Sequence, residues 1–249
     1  MKSIVCIKRV PDSETRVDIG PDGRSLDPSG VKFVMNPYDE YALEQALLLK
    51  EGAGEGRVTV VTLGPDAARD TLRSALAMGA DDAVLLRAEP PPDGLVVARA
   101  LAEAIRGREF DLVLFGKQAI DDDNMQVPAM VAELLELPCA TVVTTLELDG
   151  RSATVHREVE GGHEVVELSL PAVIAAQKGL NKPRHPSVKG IMMAKKKPLE
   201  EIDVELPASD IELLDLSPPP PRPEPQIVGE GSEAVPELVR LLRDEAKVL

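Results

Sequence analysis

The residues with the most chemistry in the fewest positions lie between Phe115 and Ala129, in the stretch FGKQAIDDDNMQVPA. Three consecutive aspartates, Asp121, Asp122 and Asp123, follow what reads as the end of a strand, and an apolar helical run begins just after them. A metal centre needs ligands converging from several positions. Three adjacent side chains on an extended loop point different ways, and no matching set of Glu or His accompanies them. A catalytic carboxylate pair finds no neighbouring nucleophile or histidine. Helix N-termini favour Asp and Asn, so the plain reading is a heavily capped helix start. In that arrangement the carboxylates turn outward to cap and brace the loop. Backbone N–H groups at the helix start then face an anion, with Asn124 and Gln126 as further donors.

Other candidate chemistry is thinner. His156, His163 and His185 are scattered; the first two flank the Gly161-Gly162 turn, across a hairpin. No G-x-S-x-G occurs, and neither G-x-G-x-x-G nor G-x-x-x-x-G-K-[ST] supplies a standard phosphate loop. Four segments nevertheless place small or turn-forming residues where a strand hands over to a helix: Lys8–Asp12, Met35–Ala42, Thr62–Pro65 and Gly116–Gln126. One of them alone reads as an ordinary turn, whereas four at one sheet edge favour a ligand site. Lys195-Lys196-Lys197 is a basic spot whose default reading is a solvated face, with a docking patch as the alternative. Cys6 and Cys139 belong to no C-x-x-C or Cys/His spacing and read as buried free thiols in a reducing compartment.

The elements that must position these residues alternate. Ser3–Val10, Arg57–Gly64, Ala83–Arg87 and Asp111–Gly116 are apolar and β-branched, as buried parallel strands are. Glu40–Gly52, Asp66–Ala80, Gly94–Gly107 and Met125–Leu137 carry helical periodicity. This pattern predicts an α/β fold, doubly wound around a mostly parallel sheet. After Pro138 period-2 runs broken by Asp149-Gly150 and Gly161-Gly162 predict antiparallel strands at one edge. Residues 1–216 form the main domain, Ser217–Pro225 (SPPPPRPEP) a stiff linker, and residues 226–249 an amphipathic helical tail that docks on its own body or on a partner.

The chain has 249 residues, 43% of them hydrophobic and only 2% aromatic, so an aliphatic core is expected. The formal net charge of −15 argues against nucleic-acid binding. MKSIVCIKRV reads as neither a signal peptide nor a membrane anchor, and no apolar run is long enough to insert in a membrane. A cytoplasmic location is expected.

Several blocks in order carry a resemblance: IKRVPD, MNPYDEYALE, ALAMGADDAVLL, GKQAIDDDN, VHREVEGGHEVVELSLPAVIAA, LPAVIAAQKGLNKPR and IMMAKKK. Over nearly its whole length the chain resembles the β subunit of electron transfer flavoproteins. The resemblance implies an adenine-nucleotide-hydrolase-like α/β domain in an electron carrier that is not an enzyme. It implies a heterodimer with an α subunit, which holds the redox FAD and accepts electrons from dehydrogenases of the acyl-CoA type in fatty acid oxidation. A quinone reductase or similar acceptor then takes them. The β chain holds AMP in a structural role. Carried over by position, the AMP site comprises Cys6, the loop Asn36-Pro37-Tyr38-Asp39, Leu63, and the loop Gly116-Lys117-Gln118-Ala119-Ile120-Asp121-Asp122-Asp123-Asn124-Met125-Gln126-Val127. Tyr38 and Ser13 match positions near the flavin. Arg184, Val188, Ile191 and Met192 match the segment that docks transiently on flavin dehydrogenases, with Val188 as the apolar anchor. The sequence departs from the family pattern after the aspartates, where Asn124-Met125-Gln126-Val127-Pro128 stands in place of x-Asn-Gln-Thr-Gly. A Gln-Val pair here also occurs in electron-bifurcating members with a second FAD in place of AMP; the full aspartate run favours AMP. A stand-alone adenine-nucleotide sensor and a nucleotide hydrolase or ligase are the alternative classes, the latter lacking a Ser-Gly-Gly loop.

Overall fold

Strand β1 (Lys2–Cys6) opens the chain and is followed by a short antiparallel pair, β2 (Arg9–Pro11) and β3 (Phe33–Met35). Then α1 (Pro37–Ala53), β4 (Arg57–Gly64), α2 (Ala68–Met78), β5 (Asp82–Arg87), α3 (Gly94–Arg106), β6 (Leu112–Gly116) and α4 (Val127–Leu135) alternate. The hairpin strands β7 (Cys139–Asp149), β8 (Ser152–Val159) and β9 (Gly162–Ser169) come next, then β10 (Ala172–Ala176), α5 (Val188–Ala194) and β11 (Leu199–Asp203). The computed structural model describes residues 1–89, 93–222 and 224–249; Pro223, inside the expected linker, lies outside them.

Among the described residues the main sheet runs β11-β5-β4-β1-β6-β10-β7-β8-β9. Its pairings from β11 to β7 are parallel, and β7-β8 and β8-β9 are antiparallel. The expected doubly wound α/β fold with antiparallel strands at one edge is what the chain adopts. His156 and His163 lie on the β8-β9 pair but face Val165 and Glu158 rather than each other.

Both sheet faces are covered, which is why the parallel strands read as continuous apolar runs. Successive strand residues alternate between faces: Val5 joins Leu43 and Leu47 of α1 and Leu72 and Leu76 of α2. Its neighbours Ile4 and Cys6 join Leu101 and Ile105 of α3 and Val131 of α4 on the other side. Thus the helix after β1 lies on one face and the helix after β6 on the opposite one. These two strands are neighbours, so a crevice opens at their carboxyl ends, the place where open α/β sheets bind ligands.

Boundaries moved where side chains intervened. The run Ser3–Val10 was expected as one strand, but β1 stops at Cys6 because the Lys8 N–H turns to Asp39 Oδ2, 2.7 Å away. Helix α1 begins at Pro37 rather than Glu40, using proline at its first position, and closes at Gly54 with φ 70°. Strand β11 was not foreseen, since LEEID has the charge content of a solvated turn; it pairs with β5 as an edge.

Residues Leu216–Leu249 make a separate unit. Within the expected tail the chain is helical over residues 232–245: a 3-10 turn (Ser232–Ala234), α6 (Val235–Arg240) and one wider turn (Leu241–Glu245), none of whose residues is buried. No described helix is long and apolar enough to cross a membrane.

Leu76 is fully buried between α2 and the sheet. Leu76→Ala is expected to cost about 2–5 kcal/mol of stability, read as a lower urea midpoint with an unchanged slope.

Candidate functional site

The crevice between β1 and β6 is closed on the α1 side by one carboxylate. Asp39, in the first turn of α1, is 5% exposed. Its Oδ2 accepts from Lys8 N at 2.7 Å, and its Oδ1 accepts from Gly116 N at 3.0 Å and from Asn36 Nδ2 at 3.0 Å. Asp39 therefore ties the exit of β1 to the exit of β6. Burial pushes its carboxyl up to about 7, while the N–H donors and the Lys8 charge pull the other way. Gly116 must lack a side chain here: a Cβ would lie 2.5 Å from Asp39 Oδ1 and 2.6 Å from the Tyr38 carbonyl carbon.

Asn36 extends the tie into the loop beyond β6. Its Nδ2 also donates to Gln118 O at 2.8 Å, and its Oδ1 accepts from Ile120 N at 3.2 Å. Lys8 Nζ reaches Asp121 Oδ1 at 2.8 Å and Asp122 Oδ2 at 3.0 Å, so one cation from β1's exit holds two of the three aspartates. The Asn124 N–H donates to Asp122 Oδ1 at 3.3 Å, and Asp123 accepts from Gln118 Nε2. The chain takes left-handed turns at Asp123 (φ 51°) and Met125 (φ 55°).

The aspartates do not cap α4, contrary to the reading of the sequence. That helix starts at Val127, its N-cap Gln126 makes no side-chain cap bond, and the carboxylates are taken by Lys8, Gln118 and Asn124. Their bracing role holds; their capping role does not. The Gln126 N–H is taken by Asn124 Oδ1 at 3.2 Å, and Pro128 has none. Among the described residues no side chain bonds the Val127 and Ala129 amides, which are left as the donors an anion would meet.

On the other face of the crevice, Cys6 is 4% exposed and packs in one apolar cluster with Leu63 and Val127. Burial pushes the Cys6 thiol up, so it stays neutral and forms part of an apolar wall. The start of α3 closes this side: Asn124, Gln126 and Val127 come within 3.9 Å of where a Gly94 side chain would stand. Asp93 caps that helix through Leu95 N and accepts from Ser209 Oγ and Asp210 N. Among the described residues no cluster of His, Cys, Asp and Glu could hold a metal.

A family description, the electron transfer flavoprotein domain, matches residues 25–207. The electron transfer flavoprotein subunit beta of Bacillus subtilis (strain 168) is 43% identical, with all of both chains covered. The mitochondrial beta subunit of Oryza sativa subsp. japonica is 41% identical over all of both chains. That of Syntrophomonas wolfei is 44% identical over 88% of this chain and 86% of its own. The chain belongs to the electron transfer flavoprotein family, as a beta subunit. It is an electron transfer flavoprotein subunit.

The other residues that the family resemblance singled out fall into two further groups. Pro37 and Tyr38 start α1 at the mouth of the crevice, and Lys117 Nζ sits 5.1 Å from the Tyr38 ring centroid. Beside them Ser13, Tyr38, Tyr41, Ile120 and Lys178 help line a hollow of about 670 Å³. Farther off, Val188, Ile191 and Met192 on α5 are exposed by 77%, 53% and 68%. Arg184 stands apart from them in character, because its guanidinium is paired with Glu44 and Glu51 of α1.

Reading the sequence placed Lys8 in one of the four strand exits of a ligand site but gave it no pairing with the aspartates, and it did not find Asp93 or Gly94. The pairing had a signal, the Lys8-Arg9 cations at a strand exit in a chain with three consecutive aspartates. Asp93-Gly94 had a weaker one, an N-cap pair ahead of an apolar run.

Gly116→Ala is expected to cost about 1–3 kcal/mol through overpacking. Gly107→Ala, where nothing stands within 4 Å, should stay within about 0.5 kcal/mol; urea unfolding of both checks this. Asp39 also sets a pH slope. Its folded pKa, about 7, is above the unfolded value, so the folded state takes up a proton that the unfolded chain does not. Its contribution to stability therefore falls as pH rises from about 4 to 7 and is flat above that. Subtracting the stability of Asp39→Asn from that of wild type should give a larger value at pH 5 than at pH 8.

Proposed function

We propose that this chain pairs with an α subunit in an FAD-containing electron carrier, holding AMP in the β1/β6 crevice and presenting α5 to reducing dehydrogenases. The observation that carries the nucleotide assignment is the start of α4, whose N-cap residue Gln126 makes no side-chain cap bond, on a loop braced by Lys8 and Asn36 and next to the apolar wall of Cys6, Leu63 and Val127. A purine suits the wall and a phosphate suits the helix start. Because Lys8 offsets Asp121 and Asp122, the anion does not meet three bare carboxylates. Asn36 and Asp39 shape the loop, their side chains being committed to it.

Bound FAD supplies the electron-carrying chemistry. This chain's part is to orient: Tyr38, Ser13 and the hollow beside them face the flavin held by the α subunit. Val188, Ile191 and Met192 form a small exposed apolar patch of the kind used in brief, reversible docking. Electrons arrive from acyl-CoA-type dehydrogenases and leave to a quinone reductase or similar acceptor. Residues 226–249, reached by the linker 217–225, pack their exposed Val235, Leu238 and Val248 on the α subunit. Free cysteines suit a reducing compartment such as the cytoplasm.

Denaturing the purified heterodimer should release one FAD and one AMP, quantified by chromatography. Two FAD and no AMP would support the second reading, electron bifurcation, to which the Gln126-Val127 pair lends itself. Val188→Asp should slow reduction by a partner dehydrogenase about tenfold, equivalent to ~1.4 kcal/mol, with FAD content intact; stopped-flow reduction measures it.

A further inference from the structure

The chain between β10 and α5 is fastened to α1 before it reaches the exposed patch. Asn181 Nδ2 donates to Tyr41 O at 2.9 Å and to Gln45 Oε1 at 3.1 Å. The Arg184 N–H donates to Glu44 Oε2 at 3.1 Å. Arg184 Nε and Nη2 take the two Glu44 oxygens at 2.8 and 2.9 Å, while Nη1 and Nη2 take the two Glu51 oxygens at 2.6 and 3.0 Å. Glu44 and Glu51 are two helical turns apart on one stripe of α1. The planar fork of one arginine thus spans both carboxylates, a geometry that lysine cannot copy.

This clamp occupies most of the guanidinium's donors. The Glu44 side chain is only 5% exposed, whereas Glu51 is 54% exposed. An acidic group on a docking partner would have to compete with two carboxylates already in bidentate contact, one of them buried. Three residues later Ser187 Oγ accepts from Gly190 N at 3.0 Å and starts α5. A Cβ on Gly190 would fall 2.3 Å from Ala77 O, so α5 is seated directly on α2. Between these two fixed points the chain has little freedom, and Val188, Ile191 and Met192 emerge from it in one orientation.

We propose that Arg184 is a positioning residue for the docking patch and does not itself bind the dehydrogenase. By clamping Glu44 and Glu51 it sets the entry of the chain into α5, so the apolar side chains are preorganised for docking and little order is lost on contact. This rests on the reading of Val188 and its neighbours as the docking patch. The same helix carries Asp39 at its start, so α1 mounts both the nucleotide crevice and the patch.

The test uses the heterodimer with FAD bound, reduced by a flavin dehydrogenase at varied concentration, with amide hydrogen exchange across residues 180–194. The variants are Arg184→Lys, which keeps the charge and loses the fork, and Glu51→Gln, which loosens the clamp at an exposed position and leaves Arg184 in place. Positioning predicts that both raise KM for the dehydrogenase about fivefold or more at near-constant limiting rate. It also predicts faster exchange at Ser187–Ala194. A direct contact predicts the opposite for Glu51→Gln, since freeing Arg184 would leave KM unchanged or lower it, and that result overturns the proposal. Wild-type KM and exchange in both variants, beside a Val188→Asp that has lost docking, also overturns it while the docking reading stands. A Val188→Asp with wild-type KM removes the docking reading and the proposal together.

Discussion

A single buried carboxylate holds together the part of the molecule where ligands would enter. Parallel strands β1 and β6 diverge at their carboxyl ends because the helices that follow them lie on opposite faces. The β1-β6 ladder ends at Val5 and Leu114, and backbone N–H groups left beyond it without partners would be costly. Asp39 supplies acceptors to Lys8 N and Gly116 N at once. The tie sets where β1 ends, and it requires glycine at position 116. Through Asn36 it extends to the turn at Gln118–Ile120.

From that point the charge pattern of the loop follows. A chain of net charge −15 has three adjacent aspartates beside a proposed anion site. Lys8, turned outward as its backbone turns inward to Asp39, takes two of them. The carboxylates thereby brace the loop, and the start of α4 is left without a side-chain cap. Ion pairs of this exposure contribute little to global stability; their effect here is on the shape of one loop.

Helix and strand alternation, the aliphatic two-sided core and the antiparallel edge were legible because each is written in local periodicity. The residues of the crevice were legible as a group through the resemblance, but their division of labour was not. Asp39 and Asn36 were read as ligand residues, and the fold commits their polar atoms to backbone across the crevice. Asp121–Asp123 were read as helix caps, yet the helix begins farther on and a lysine more than a hundred positions earlier claims Asp121 and Asp122. Arg184 was read as a docking contact and is paired with α1. In each case the deciding partner is distant in sequence, so neither spacing nor propensity could reveal it. Strand β11 was hidden for another reason: an edge strand carries charges on its exposed side.

If the crevice holds a nucleotide as proposed, Asp39 shapes it without touching the ligand, because its oxygens are taken by Lys8 N, Gly116 N and Asn36 Nδ2. Asparagine at this position is similar in size, but its amide nitrogen would face a backbone N–H where an oxygen now accepts. The most direct measurement is the dissociation constant for AMP of the Asp39→Asn heterodimer against wild type at pH 8, with FAD content determined on the same samples. The account predicts binding at least about tenfold weaker, ~1.4 kcal/mol, with FAD content retained. Unchanged AMP affinity in a folded Asp39→Asn heterodimer would contradict it.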